Sequence, residues 1–100
     1  MSKVKHIVLL KFKDGTNEEQ INQFFDEVLD LSETASGVED YVSGANSSLE
    51  NQNQGFTHGF VMTFADAAVR DAYLASEVHI RYKAIAAPLV ESTMVFDFEV

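Results

Sequence analysis

The stretch YLASEVH, residues 73–79, sets a tyrosine six positions before a histidine, with Ser76 between them. A neutral imidazole accepts a proton, and a phenol donates a hydrogen bond to a carbonyl or a developing oxyanion. Tyr73 and His79 are therefore a candidate acid–base pair. Ser76 is a natural N-cap, which places His79 in a first helical turn. The positive end of the helix dipole disfavours a charged imidazole there. Glu77 acts in the opposite sense, as a negative charge beside His79. The same residues have an ordinary reading as well. A tyrosine on an amphipathic helix is commonly a core residue with its hydroxyl at the rim, and a first-turn histidine is commonly a local cap.

Two further histidines sit in alternating segments. In VKHIVLLKFK, residues 4–13, His6 shares its parity with Val4, Val8, Leu10 and Phe12. In FTHGFVMTF, residues 56–64, His58 shares its parity with Phe56, Phe60, Met62 and Phe64. Period two with β-branched and aromatic residues means strands. On adjacent strands both histidines turn to the same covered face, where they can converge with Tyr73 and His79. The expected pocket then has His6 and His58 as polar groups and Phe24, Phe60 and Met62 as walls. Three histidines invite a zinc reading. The chain has no His-x-His or His-x3-His pair, so no metal site is expected. It has no glycine-rich phosphate loop and no dinucleotide fingerprint, so no cofactor is expected either.

The remaining elements must position these groups. Asp14-Gly15 makes a turn, and Thr16 with Glu19 reads as a capping box. Ile21, Phe24, Phe25, Val28 and Leu29 follow helical spacing, fading near Leu31 before a turn at Gly37. Val38–Ala45 reads as a weaker edge strand, and the polar segment 44–55 as a loop. Residues 65–75 read as a helix with Ala68, Val69, Ala72 and Tyr73 inward. A break near Ala75-Ser76 starts a second helix that runs to about Ala86, and Pro88 ends it. In the closing STMVFDFEV, Met94, Phe96, Phe98 and Val100 share one side, and Val95 and Asp97 the other.

The order β-α-β-β-α-β specifies a ferredoxin-like α+β sandwich, with helices on one face of a four-stranded sheet. Ile7, Leu9, Val61 and Val95 are assigned to the uncovered face, and Asp97 to solvent or a dimer edge there. An apolar uncovered face marks a partner surface. Sheet-to-sheet pairing into a homodimeric α/β barrel is the economical solution, alone or within a higher assembly of dimers.

With 100 residues the chain is read as one domain, residues 1–100. Its formal charge of −9 disfavours nucleic acid and anionic membrane surfaces. It contains no cysteine, which removes disulfides, thiol catalysis and cysteine-ligated metals. The N-terminal apolar run Ile7–Leu10 is too short for a signal peptide, and no stretch nears the ~20 apolar residues of a membrane span. A cytoplasmic location is the default expectation.

The blocks VKHIVLLKFKDG, GFTHGFVMTF, DAYLASEVH and VFDFEV resemble the stress-responsive dimeric α/β-barrel (Dabb) domain family. The resemblance spans nearly the whole chain. It implies a ferredoxin-like protomer whose sheet pairs with a second copy. The family includes olivetolic acid cyclase-like polyketide cyclases, which use no cofactor. By that resemblance the acid–base histidine falls on His79, its tyrosine partner on Tyr73, and two pocket histidines on His6 and His58. The chain departs from the frequent His-Pro-x-His stretch: it has Ser76, Glu77, Val78 and His79 instead.

The leading expectation is a homodimer with an apolar pocket for a small organic molecule and cofactor-independent proton transfer on a carbonyl or polyketide-like compound. The enzymatic form of that expectation is a cyclase, lyase or isomerase. A non-catalytic, self-assembling stress protein is the alternative, and a cofactor-free monooxygenase-like or haem-degrading enzyme on the same fold is a second. Fold analogy alone does not separate them.

Overall fold

The computed structural model describes residues 2–100. The elements run β1 (Val4–Phe12), α1 (Glu18–Thr34), β2 (Val38–Ala45), β3 (His58–Phe64), α2 (Ala67–Leu74), α3 (Glu77–Ala86) and β4 (Val90–Glu99). Among the described residues the strands form one antiparallel sheet in the order β2-β3-β1-β4. This is the expected ferredoxin-like arrangement, with the second helical region divided in two at Ala75-Ser76. β1 and β3 are central, so the alternating segments that carry His6 and His58 do lie side by side.

Residue parity sets the two faces. Val4, Val8 and Leu10 on β1 and Phe60, Met62 and Phe64 on β3 are buried under the helices. Phe24 and Val28 of α1 close the core over them. The apolar stripe of α1 drives this packing, since helix stability in proteins comes mainly from burying such a stripe.

The α1 cap lies one residue later than Thr16 and Glu19 suggested. Asn17 accepts a hydrogen bond from the Gln20 N–H at 2.8 Å, and the Gln20 side chain accepts one from the Asn17 N–H at 2.9 Å. Thr16 instead donates its hydroxyl to the Lys13 carbonyl at 2.7 Å, which holds it in the preceding turn. The helix also continues past Leu31 to Thr34.

Gly37, with φ +92°, is required twice over. Its backbone is left-handed, and a side chain there would collide with Val69 of α2. The turn after α1 can therefore press directly against the helix that carries Tyr73.

β4 corrects two assignments. Its register with β1 pairs Asp97 with His6 and Val95 with Val8, and residues paired across antiparallel strands share a face. Val95 and Asp97 thus lie on the helix-covered side. Met94, Phe96 and Phe98 are on the uncovered side, opposite Leu9, Ile7 and Lys5. Four apolar residues of one parity suggested a core-facing set. That set instead belongs to the face no helix covers, where Phe96 is 63% exposed.

Candidate functional site

Ser76 organises the tyrosine and the histidine. Its hydroxyl donates to the Tyr73 carbonyl at 2.6 Å and accepts the His79 backbone N–H at 3.3 Å. One side chain therefore closes α2 and opens α3, fixing the angle between the helices. The two rings meet edge to face with centroids 5.3 Å apart. Asp66 caps α2 by accepting the Val69 N–H at 2.9 Å, which fixes the start of the helix that delivers Tyr73.

His6 reaches the same place from the sheet. Its ring lies 6.3 Å from that of Tyr73. It is buried, and its Nδ1 is 2.8 Å from Asp97 Oδ1. Asp97 Oδ2 accepts a hydrogen bond from Arg70 Nη1 at 2.9 Å. The carboxylate is thus shared between an imidazole and a guanidinium. With Nδ1 donating to Asp97, the His6 ring is held in one orientation and tautomer.

His6, Tyr73, His79 and Asp97 border one cavity of about 170 Å³, together with Phe60 and Tyr82. A wider cavity of about 350 Å³ lies between α3 and β4 and shares His79, Tyr82, Thr93 and Val95 with the first. The two form an inner chamber and an outer one. Among the described residues three buried side-chain atoms lack a hydrogen-bond partner: Tyr41 Oη, away from these chambers, and His79 Nδ1 and Tyr82 Oη, whose residues line both. Buried polar atoms in native proteins are nearly always paired, so such atoms beside a cavity are where a bound polar group finds its partners.

The electrostatics favour a neutral base and a protonated donor. Burial holds the His79 pKa below 6.5, Lys83 and His6 add to the depression, and the Leu74 backbone opposes it. The direction is the one read from the sequence, but desolvation leads rather than the helix dipole, and Glu77 is not among the causes. Burial pushes the Tyr73 hydroxyl up to about 12. Tyr82 is raised too, again by burial first.

The other expected site residues lie elsewhere. His58 pairs with Leu10, four positions along β1 from His6 and therefore about 13 Å away at strand spacing. Its ring packs against Phe12 and Phe25, with centroids 5.3 and 5.7 Å away, and its Nδ1 is 2.8 Å from Thr57 Oγ1. Phe60 lines the inner chamber. Phe24 and Met62 are fully buried in the core and do not border it. Asp97, Arg70 and Tyr82 were missed. A charged residue between Phe96 and Phe98 was the available signal for Asp97, since such a residue within an apolar strand needs a partner.

The sequence pattern of the stress-responsive A/B barrel domain matches residues 4–100. The chain belongs to the Dabb family. It is 29% identical over 96 residues to the stress-response A/B barrel domain-containing protein HS1 of Arabidopsis thaliana, covering 96% of this chain and 88% of that protein. It is 27% identical over 95 residues to olivetolic acid cyclase of Cannabis sativa, covering 95% and 94%. Among solved structures, the Arabidopsis thaliana protein At3g17210 superposes with a TM-score of 0.89 at 29% identity, covering 95% of this chain and 92% of that one. Several other structural neighbours are described as dimeric proteins with a ferredoxin-like fold.

Proposed function

We propose that this Dabb protein is a homodimer that binds a small organic carbonyl compound in the inner chamber and moves a proton on it without a cofactor. The observation that carries the reading is the half-buried, neutral His79 packed against Tyr73 beside a cavity lined by unpaired polar atoms. His79 acts as the base. Tyr73 stays protonated well above physiological pH and donates to the substrate oxygen. His6, oriented by Asp97, supplies a second polar contact. The similarity to olivetolic acid cyclase supports aldol-type cyclisation as the reaction class.

The dimer rests on the uncovered sheet face. Val42, Met94, Phe96 and Phe98 are all exposed there, forming an apolar surface that a second sheet can bury.

The test follows the His79 and Tyr82 ring resonances while a panel of polyketide-like and phenolic carbonyl compounds is added. Proton transfer is then read as exchange of the carbon-bound proton next to the carbonyl in D₂O. Ligand-dependent shifts, with exchange lowered about 10²–10⁴-fold by His79→Ala, are the expected result. Unperturbed rings across the panel would leave the non-catalytic, self-assembling reading, which the small volume of the inner chamber favours.

A further inference from the structure

α3 presents His79, Tyr82, Lys83 and Ala86 to the cavities at positions i, i+3, i+4 and i+7, one continuous face of the helix. His79 and Tyr82 border both chambers, whereas Lys83 borders only the outer one. The walls around Lys83 are short: Ala86, Ala87, Val90 and Thr93. Among the described residues Lys83 has no ion-pair partner, as is also true of Lys5, Lys13 and Arg81, but of these four Lys83 alone borders the outer chamber. Lys13 Nζ donates to the carbonyl of Ala87, a residue that lines this chamber, at 3.1 Å. In a chain of net charge −9, Lys83 is the one charged side chain bordering this chamber among the described residues, and it is a cation. Tyr82, 9% exposed with an unpartnered hydroxyl, stands between this rim and the inner chamber.

We infer that the outer chamber is an anion subsite, and that the ligand is a carbonyl compound with a carboxylate about one helical turn from its carbonyl. The inference rests on the ligand-binding reading above and narrows it to a substrate class. The carbonyl sits at Tyr73 and His79. The carboxylate sits at Lys83, about 5–6 Å further along α3, the spacing of groups four residues apart on a helix. A charge-assisted hydrogen bond from Lys83 to that carboxylate, partly shielded by the chamber walls, is stronger than its neutral counterpart. Tyr82 Oη gains its missing partner from the same ligand. A bound anion also neutralises Lys83, one of the groups that depress His79, so the base becomes stronger when the correct ligand arrives.

3-Benzoylpropionate carries an aryl ketone and a carboxylate at suitable separation, and its primary amide is a neutral counterpart of nearly equal shape. Dissociation constants for both are measured by NMR titration on the whole protein, following the His79 and Tyr82 rings. The acid is expected to bind about tenfold tighter than the amide. Lys83→Met removes that preference and leaves amide binding within about twofold, while Lys83→Arg keeps it. Lys83 is exposed, so these variants keep the core intact. The acid raises the His79 pKa in the parent protein and not in Lys83→Met. If the preference survives Lys83→Met, the subsite is not at Lys83 and the inference is wrong. If acid and amide bind the parent protein equally, the anion subsite fails while the carbonyl-binding reading stands. If neither shifts the His79 or Tyr82 rings, both readings fall for this class of compound.

Discussion

His6 and His58 begin as equivalent residues: the same amino acid, the same parity and two neighbouring central strands. The structure gives them different environments. His6 is buried, shares Asp97 with Arg70 and faces Tyr73 across a cavity. His58 lies about 13 Å down the sheet, set between Phe12 and Phe25 with a threonine hydroxyl as its local partner. Parity decides which face a side chain joins. Position along the strand decides what it meets there, and that depends on strand register and on where each helix crosses the sheet. The Tyr73 end of the sheet has polar side chains from β1, β4 and the helices around a small cavity of about 170 Å³. At the His58 end the ring packs on Phe12 and Phe25 and also borders a cavity of about 550 Å³ formed with Leu9, Phe56 and the polar loop after β2.

Phe60 stands between the two ends. It pairs with Val8, midway between the levels of His6 and His58, and its ring contacts those of Tyr41 and Tyr82. Phe60→Ala is the strongest way to break the contrast. It should cost about 3–5 kcal/mol in urea denaturation, because the emptied space is only partly refilled. Longer apolar ligands should gain affinity as the inner chamber extends toward His58.

Asp97→Ala attacks the polar end directly. It leaves a buried imidazole and a guanidinium without their shared acceptor, and about 2 kcal/mol of stability should be lost. ¹⁵N shifts of the His6 ring should show a loss of tautomer preference. An unchanged His6 spectrum would mean that Asp97 does not orient it.

His58→Ala and Ser76→Ala should each cost about 1 kcal/mol, for different reasons. The first removes edge-on aromatic contacts. The second removes a helix cap. Only Ser76→Ala should move the Tyr73 and His79 resonances, since its hydroxyl joins their backbones. Equal perturbation by His58→Ala would show that the two ends communicate.

The smallest effect is on pH dependence. The His79 pKa is depressed in the folded protein, so the unfolded chain binds this proton first as pH falls. The stability contribution is fully present above about pH 6.5 and is lost as pH drops through the lowered folded value. His79→Gln should flatten that limb of a stability–pH curve. Proton-transfer activity should fall over the same acidic range, as His79 takes up its proton.

Much of this organisation was legible in one sequence. Alternation identified β1 and β3, and glycines, caps and apolar spacing placed the helices to within a few residues. Ser76 as a cap followed from its type and position. The α1 cap slipped by one residue because Thr16 and Asn17 are both good caps, and only the turn geometry at Lys13 chose between them. β4 was read on the wrong faces because both of its parities carry apolar groups. The richer one belongs to the surface that no helix covers, where Met94, Phe96 and Phe98 stand exposed.

The order of elements, the covered faces of β1 and β3, and the placement of Tyr73 and His79 around one cap follow from the residues along the chain. These are consequences of local geometry: side-chain period, capping chemistry and turn residues act over a few positions. Only the tertiary structure decided that Asp97 meets His6, that Arg70 holds Asp97, that His58 stays apart, and that Tyr82 and Lys83 line the way in. Those facts depend on strand register and on how α2 and α3 sit across the sheet. A shift of one residue in β4 would have turned Asp97 to the other face without changing a letter of the sequence.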